Sequence, residues 1–387
     1  MNAKKNINIA VIGTGFMGRT HSYAAANLPF FYDGLPFRAV LHTICSRDSK
    51  KGEEIRDEWG FLRSEADFEK ILANPEIDVV DICTPNIYHL ENVTKSLAAG
   101  KHIYCEKPLV TSAAEADEVM EKFDATGGNL VCAVVFHNRF APAVLKARQL
   151  MGEGRLGKLV SFRCAYFHNS NIDQNKKAGW KQTAELGGGV LFDLGSHAID
   201  MVRFLCCNGG DEIESVTGKS QIFFPVRKGI DGKNWKTDAD EAFYITAQLK
   251  SGAIGTIEAS KLAVGTNSDL SFEIYGERGA LKYSMMQPNF LEFYDNERPD
   301  GDYGGERGFA KIECVQRYPA PAGVFPGVKS PVGWLRFHMH SIYLFLEGVH
   351  SGALCDLSPT FRDGAAVQKI METAFLSDKT GKWEKIQ

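Results

Sequence analysis

Asn6-Ile7-Asn8-Ile9-Ala10-Val11-Ile12-Gly13-Thr14-Gly15-Phe16-Met17-Gly18 is the stretch that decides the fold. An apolar run of strand length enters a turn of the form G-x-G-x-x-G, and Arg19 to Asn27 continues as a helix. Strand, glycine turn and helix in this order form the context in which the motif carries meaning. Gly13 allows the tight turn, Gly15 lets backbone approach a pyrophosphate, and Gly18 lets the helix pack close to the strand. Phe16 and Met17 stand in the same turn.

Downstream, apolar strands alternate with helices. Phe37 to Cys45, Phe61-Leu62, Ile77 to Cys83, His102 to Cys105 and Asn129 to Phe136 read as strands. Ser49 to Trp59, Asp67 to Leu72, His89 to Ala99 and Ala113 to Phe123 read as helices between them. This alternation without hairpin turns predicts a parallel sheet, a doubly wound dinucleotide-binding domain over residues 1–137. The ends of the first, fourth and fifth strands then line one crevice, where Gly15, Asn86 and Lys107 should meet. Alone, Lys107-Pro108 reads as a surface turn; at the end of a buried strand in this topology it reads as a site lysine.

After the second strand the chain gives Ser46-Arg47-Asp48, with Lys51 close behind. A hydroxyl and cations suit a ribose 2′-phosphate, so NADP is slightly favoured over NAD. Asp48 could instead reach a ribose hydroxyl, and the choice stays open.

From residue 138 the pattern changes. Ala143 to Met151 is a helix and Lys158 to Phe167 a long strand. Segments 241–260, turning at Ser251-Gly252, and 270–283, turning at Glu277-Arg278-Gly279, read as hairpins. Residues 138–387 are therefore expected to form a second, α+β domain with a large, open, mainly antiparallel sheet. Segments 209–240 and 295–329 are read as excursions or lids. In Gly187-Gly188-Gly189-Val190-Leu191-Phe192-Asp193-Leu194-Gly195-Ser196-His197, glycines open a helix on which Asp193 and His197, four apart, share a face. A carboxylate and an imidazole so placed suit hydroxyl binding and proton transfer, and a satisfied buried pair is the rival reading. With no third ligand evident, no metal site is expected.

The bulk numbers fit a two-domain globular chain. It has 387 residues, 44% hydrophobic and 24% charged, with a formal net charge of −4. That balance gives no reason to expect nucleic acid or an anionic membrane as partner. No apolar run reaches the roughly 18 residues of a membrane span, and the N-terminus shows no signal-peptide core, so the expected location is the cytoplasm. Nine cysteines without a C-x-x-C pair suggest neither a zinc site nor a disulfide framework.

The ordered motifs resemble the glucose-fructose oxidoreductase/inositol dehydrogenase/rhizopine-catabolism (Gfo/Idh/MocA) family. They are Gly13 to Gly18, Thr84-Pro85-Asn86 with His89, Ala99 to His102, Glu106-Lys107-Pro108, Arg139 with Pro142, Gly154 with Gly157, and Gly188-Gly189 through Asp193 to His197. The resemblance implies a Rossmann domain, a bound NAD or NADP, and a sugar, inositol or other polyol as substrate. It implies a homo-oligomer, dimer or tetramer, through the C-terminal sheet. By motif position, Lys107 and His197 handle a proton and Asp193 orients substrate and His197. Thr84, Pro85, Asn86, His89, Glu106 and Arg139 contact cofactor or frame the site, and Trp180 closes over the nicotinamide. Tyr166 and His168, in a loop that matches no signature of the family, are added as candidate substrate contacts. The insertion after the first helix and Phe272-Glu273-Ile274-Tyr275-Gly276 resemble the branch that oxidises sugar rings at C3. The reaction implied is hydride transfer between a ring carbinol and the nicotinamide. Rival readings are an enzyme that oxidises a sugar transiently with a retained cofactor, and a dinucleotide-binding sensor without turnover.

Overall fold

The computed structural model describes residues 4–207, 209–229 and 231–387. Met1, Asn2 and Ala3, on which part of the reading of the N-terminus rests, lie outside them. The chain divides into two compact units, Met1–Phe140 with Gln316–Ala366, and Ala141–Val315 with Val367–Gln387.

The first unit begins with β1 (Lys5–Ile12), α1 (Phe16–Phe31), β2 (Phe37–Cys45), α2 (Ser49–Trp59), β3 (Arg63–Glu65) and α3 (Phe68–Ala73). It continues with β4 (Val79–Ile82), α4 (His89–Ala98), β5 (His102–Cys105), α5 (Ala113–Asp124) and β6 (Cys132–Val134). The strands form one sheet in the order β3-β2-β1-β4-β5-β6, parallel at every pairing. This is the expected doubly wound sheet. Ile7, Ile9, Ala10 and Val11 are all at most 1% exposed. Burial on both faces is why the second half of β1, Ile9 to Ile12, reads as a continuous apolar run, while Asn6 and Asn8 alternate with Ile7 in its first half. The strand order reverses between β1 and β4, so the loops after these strands flank the point where such sheets bind ligands.

The second unit carries α6 (Pro142–Gly152), β7 (Leu159–Phe167), α7 (Ser196–Cys206), β8 (Ile213–Gln221), β9 (Val226–Lys228), β10 (Asn234–Lys236), β11 (Ala242–Leu249) and β12 (Ile254–Ser260). β13 (Asp269–Gly276), β14 (Gly279–Ser284), β15 (Phe290–Asp295) and β16 (Phe309–Glu313) follow. α8 (Trp334–Ser351) belongs to the first unit, α9 (Phe361–Thr380) runs across the boundary, and β17 (Glu384–Lys385) returns to the second. The large sheet has the order β16-β15-β14-β13-β7-β12-β11-β8-β17, antiparallel except where β12 meets β7. Both expected hairpins are present, as β11–β12 and β13–β14.

Two expectations need correction. Segments 209–240 and 295–329 are not wholly excursions: β8 and β16 within them join the large sheet. A single boundary at 137/138 also misses the return of residues 316–366 to the first unit. Its physical reason is α8, which packs along α1. Arg336 of α8 is 5% exposed, donates to Ala322 O at 2.6 Å and Gln316 Oε1 at 3.2 Å, and stacks over the rings of Phe31 and Tyr32. A buried guanidinium needs such partners, and they all lie in this unit.

Candidate active site

In the first unit the candidate residues lie at the edge of the parallel sheet where β1, β4 and β5 end. Gly13 follows β1 with φ +117°, and a Cβ there would stand 2.6 Å from Cys83 O after β4. A Cβ on Gly18 would stand 2.0 Å from Gly13 O. These two glycines are thus required by the backbone itself. Gly15 differs: a Cβ there would meet nothing within 4 Å, which leaves open space over the loop. No side chain among the described residues caps the N-terminus of α1, and its first turn holds no acidic residue. Free amides, an open cradle and a helix dipole suit a pyrophosphate, so the residues present fit a dinucleotide. Phe16, 73% exposed, projects from the same loop, and Met17 follows it.

At the end of β2, Ser46 is buried and its amide donates to Glu65 O at 3.2 Å. The Arg47 guanidinium lies 5.7 Å over the Tyr88 ring. Asp48 is the N-cap of α2 and accepts from the amide of Lys51 at 3.1 Å. Its carboxylate thus caps its own helix, beside the exposed Lys51.

After β4 come Thr84, Pro85 and Asn86. His89 is fully buried, and its ring nitrogens face Pro108 O at 2.8 Å and Thr84 O at 3.0 Å. Burial holds its pKa below the ordinary histidine value. In place of the expected cofactor contact, His89 ties the loop after β4 to the loop after β5. Arg139, 3% exposed, pairs with Asp363 at 3.3 Å. It too is seated within the unit.

Glu106 and Lys107 follow directly on β5. Glu106 is 5% exposed, Lys107 is half-buried, and the amide of Lys107 donates to Glu106 Oε2 at 3.3 Å. Beneath them lies a cluster that sequence reasoning missed. His21 of α1, 1% exposed, lies 2.9 Å from Asp81 Oδ1 through Nδ1 and 3.1 Å from Glu106 Oε1 through Nε2. Cys83 Sγ is 3.2 Å from Nδ1. These ligand-type atoms of His21, Asp81 and Cys83 lie within 4.8 Å of one another, yet hydrogen bonds engage both ring nitrogens, and the cluster is read as a proton-bearing one. An aromatic wall was missed as well. Trp334 of α8 stacks on Phe16 at 5.7 Å and packs edge-on against His338 at 4.3 Å.

The second unit carries its own group of candidate residues. The glycine run precedes a π-turn, Leu191–Gly195, which leads into α7. A Cβ on Gly188 would stand 2.6 Å from Trp180 O, and one on Gly189 2.1 Å from Asp240 Oδ1. The glycines thus let the Trp180–Lys181 backbone and Asp240 close over the turn. Asp240 accepts from the Leu191 amide at 2.8 Å. Asp193 Oδ2 sits between two ammonium groups, Lys261 at 2.7 Å and Lys181 at 3.0 Å. Lys261 is 5% exposed and immediately follows β12, a strand-end position like that of Lys107. His197 on α7 is 4% exposed, and the Tyr166 ring lies 5.8 Å from it and 5.3 Å from His168. The expected Asp193, His197, Tyr166 and His168 therefore fall in one unit, with Lys261 and Asp240 as additions. The Trp180 ring lies 5.5 Å from Lys181 Nζ.

Residues 7–134 match the model described as "Oxidoreductase family, NAD-binding Rossmann fold", and residues 144–282 match the GFO/IDH/MocA C-terminal domain. Levoglucosan dehydrogenase of Pseudarthrobacter phenanthrenivorans is 30% identical over 398 residues, covering 98% of each chain. The scyllo-inositol 2-dehydrogenase (NAD(+)) of Bacillus subtilis is 31% identical and covers 71% of this chain and 73% of its own. A solved structure of levoglucosan dehydrogenase in complex with NADH and levoglucosan superposes with a TM-score of 0.91 at 30% identity, covering 99% of this chain and 100% of that one. No helix among the described residues is long and apolar enough to cross a membrane.

Proposed function

Because the chain belongs to the GFO/IDH/MocA oxidoreductase family, we propose that it is a nicotinamide-dependent dehydrogenase acting on a ring hydroxyl of a sugar, glycoside or inositol. C3 of a glucoside-like ring is the favoured carbon. One observation carries the reading. Lys107 follows β5 on the same sheet edge as the glycine loop after β1 and Asn86 after β4, in a chain that matches a sugar dehydrogenase over 98% of its length.

The bound nicotinamide supplies the hydride acceptor or donor. Gly13 to Gly18 hold the pyrophosphate through backbone amides and the α1 N-terminus. Ser46, Arg47 and Lys51 present a hydroxyl and cations to the adenosine ribose, which supports NADP over NAD. Thr84, Pro85, Asn86 and Glu106 frame the cofactor, with His89 and Arg139 fixing the loops that carry them. By motif position in the family, Lys107 and His197 are the two proton-handling candidates, and one of them takes the proton of the reacting hydroxyl on oxidation and returns it on reduction. Asp193, held by Lys261 and Lys181, orients the substrate. Tyr166, His168 and Trp180 line the sugar side. The open face of the large sheet, which carries Arg163, Glu258, Glu273 and Lys282, is assigned to a second copy of the chain, and the cytoplasm to the protein's location.

The test is to identify the nucleotide bound after purification or titration. Glucosides, 1,6-anhydro sugars and inositols are then screened for reduced nicotinamide. Accumulation with a cyclic polyol supports the reading; tight nucleotide binding without turnover across the panel contradicts it. Changing Ser46→Asp should move the preference from NADP toward NAD.

A further inference from the structure

We propose that His21 is a positioning residue for the Glu106–Lys107 corner, the fixed cation of a buried Asp81–His21–Glu106 chain that sets the geometry and charge of Glu106. The proposal deepens the dehydrogenase reading and rests on it for its effect on turnover. Its structural half stands alone.

The geometry starts from two strands and one helix. Asp81 lies on β4, Glu106 directly follows β5, and His21 comes from the second turn of α1, just past the glycine loop. Asp81 and His21 are each 1% exposed, and Glu106 5%. Nδ1 is 2.9 Å from Asp81 Oδ1 and Nε2 is 3.1 Å from Glu106 Oε1. A neutral imidazole carries one N–H and one lone pair, so it would turn a lone pair toward a carboxylate oxygen at one side. An imidazolium donates to both. Burial opposes that charge, but the Asp81 carboxylate, with Cys83, outweighs it and carries the His21 pKa well above the ordinary histidine value.

The other titratable groups around the ring agree. Cys83 and Tyr104 are both pushed up, chiefly by burial, and so stay protonated. His338 of α8, with its ring centroid 5.7 Å from that of His21, is held far below its ordinary value by burial, then by His137, His21 and Lys107. It is neutral. Neither of its ring nitrogens has a hydrogen-bond partner among the described residues. Among the described residues, His21 is thus the cation inside the cluster, and Lys107 stands at its rim.

The consequence runs along the chain. Glu106 Oε1 is held by His21 while Oε2 accepts from the Lys107 amide at 3.3 Å. One carboxylate therefore joins the α1 histidine to the backbone of the proton-handling lysine. Removing the imidazolium leaves two buried carboxylates without their shared counter-charge. Such a pair takes up a proton or rearranges. Either change moves Lys107 and alters the charge beside it.

The test uses the full chain. Nitrogen-15 imidazole spectra of the apoprotein should show one ring doubly protonated at pH 8. That signal should be lost in His21→Gln and neutralised in Asp81→Asn, which keeps the side-chain volume. This part needs neither nucleotide nor turnover, so it survives failure of the dehydrogenase reading. With a turned-over sugar, His21→Gln should lower kcat roughly tenfold. It should also move one limb of the kcat–pH profile by about one unit and leave the sugar KM within about twofold. Glu106→Gln should produce the same displacement, and the double variant should add nothing. A ring that is neutral at pH 8 in the wild type overturns the proposal. So does an unmoved pH profile in a folded His21→Gln enzyme.

Discussion

Nζ of Lys261 lies 2.7 Å from Oδ2 of Asp193, with the lysine buried and the carboxylate also touched by Lys181 at 3.0 Å. Asp193 is therefore a carboxylate held in place by two cations, one of them fixed by burial. Lys261→Met should leave the exposed Lys181 as the remaining cation of this pair and loosen the carboxylate. A charged hydrogen bond of this kind is worth about 1.5–3 kcal/mol, so kcat/KM should fall roughly tenfold to a hundredfold. Lys181→Met should cost far less, because an exposed pair contributes little. Steady-state kinetics of the two variants decide it; equal effects would contradict the ranking.

Gly13 and Gly15 should separate folding from binding. Gly13→Ala places a Cβ 2.6 Å from Cys83 O at φ +117°. It should destabilise the apoprotein by about 2 kcal/mol or more. Gly15→Ala meets nothing within 4 Å and should leave apoprotein stability within about 0.5 kcal/mol. It nevertheless fills the space over the loop, and dinucleotide affinity should drop roughly tenfold. Thermal unfolding and NADH fluorescence titration of both variants check this. A Gly15→Ala protein that binds NADH as the wild type does would exclude a pyrophosphate from that cradle.

Asp240 gives a pH dependence. Burial pushes its pKa from 3.8 to about 6, against the pull of the Leu191 amide and Lys261. A carboxyl raised in the folded state favours folding while protonated. That contribution is fully present below the unfolded value and lost as pH rises through about 6. A shift of about two units corresponds to about 3 kcal/mol. Asp240→Asn can still accept from the Leu191 amide, and its unfolding free energy should fall less than that of the wild type between pH 4 and 7.5. Urea unfolding at several pH values measures the difference, and parallel curves for the two proteins would refute it.

Lys107→Met should lower turnover by roughly 10² or more while the nucleotide stays bound. His197→Asn should lower it as well, and the larger loss identifies the principal base. Undiminished turnover in Lys107→Met would remove that lysine from proton handling.

Much of the fold was legible because its signals are local. The buried strand before Gly13, the turn glycines and the hairpins each announce themselves within a dozen residues. The return of residues 316–366 was not, since it depends on Arg336 finding Gln316, Ala322 and the rings of Phe31 and Tyr32, and the two aromatics lie about 300 positions away. The glycine turn and the four-residue spacing of Asp193 and His197 were visible in the sequence, while the roles proposed for Asn86, Lys107, Asp193 and His197 came with the family resemblance. His21 was not, because its meaning comes from carboxylates 60 and 85 positions downstream, brought beside it by the strand order. Lys261 could have been found by the rule that singled out Lys107, a lysine just past a buried strand. His89 was read as a cofactor contact because its position in the motif cannot reveal that its ring is wholly buried.

The central claim is hydride transfer from a sugar ring carbon. The direct measurement uses a cyclic glucoside deuterated at C3, supplied with the preferred oxidised nucleotide, with the reduced nucleotide examined by mass spectrometry and NMR. The expected result is reduced nucleotide that accumulates and carries deuterium at C4 of its nicotinamide. Deuterium released to water, or a sugar returned without net nucleotide reduction, would contradict the dehydrogenase reading.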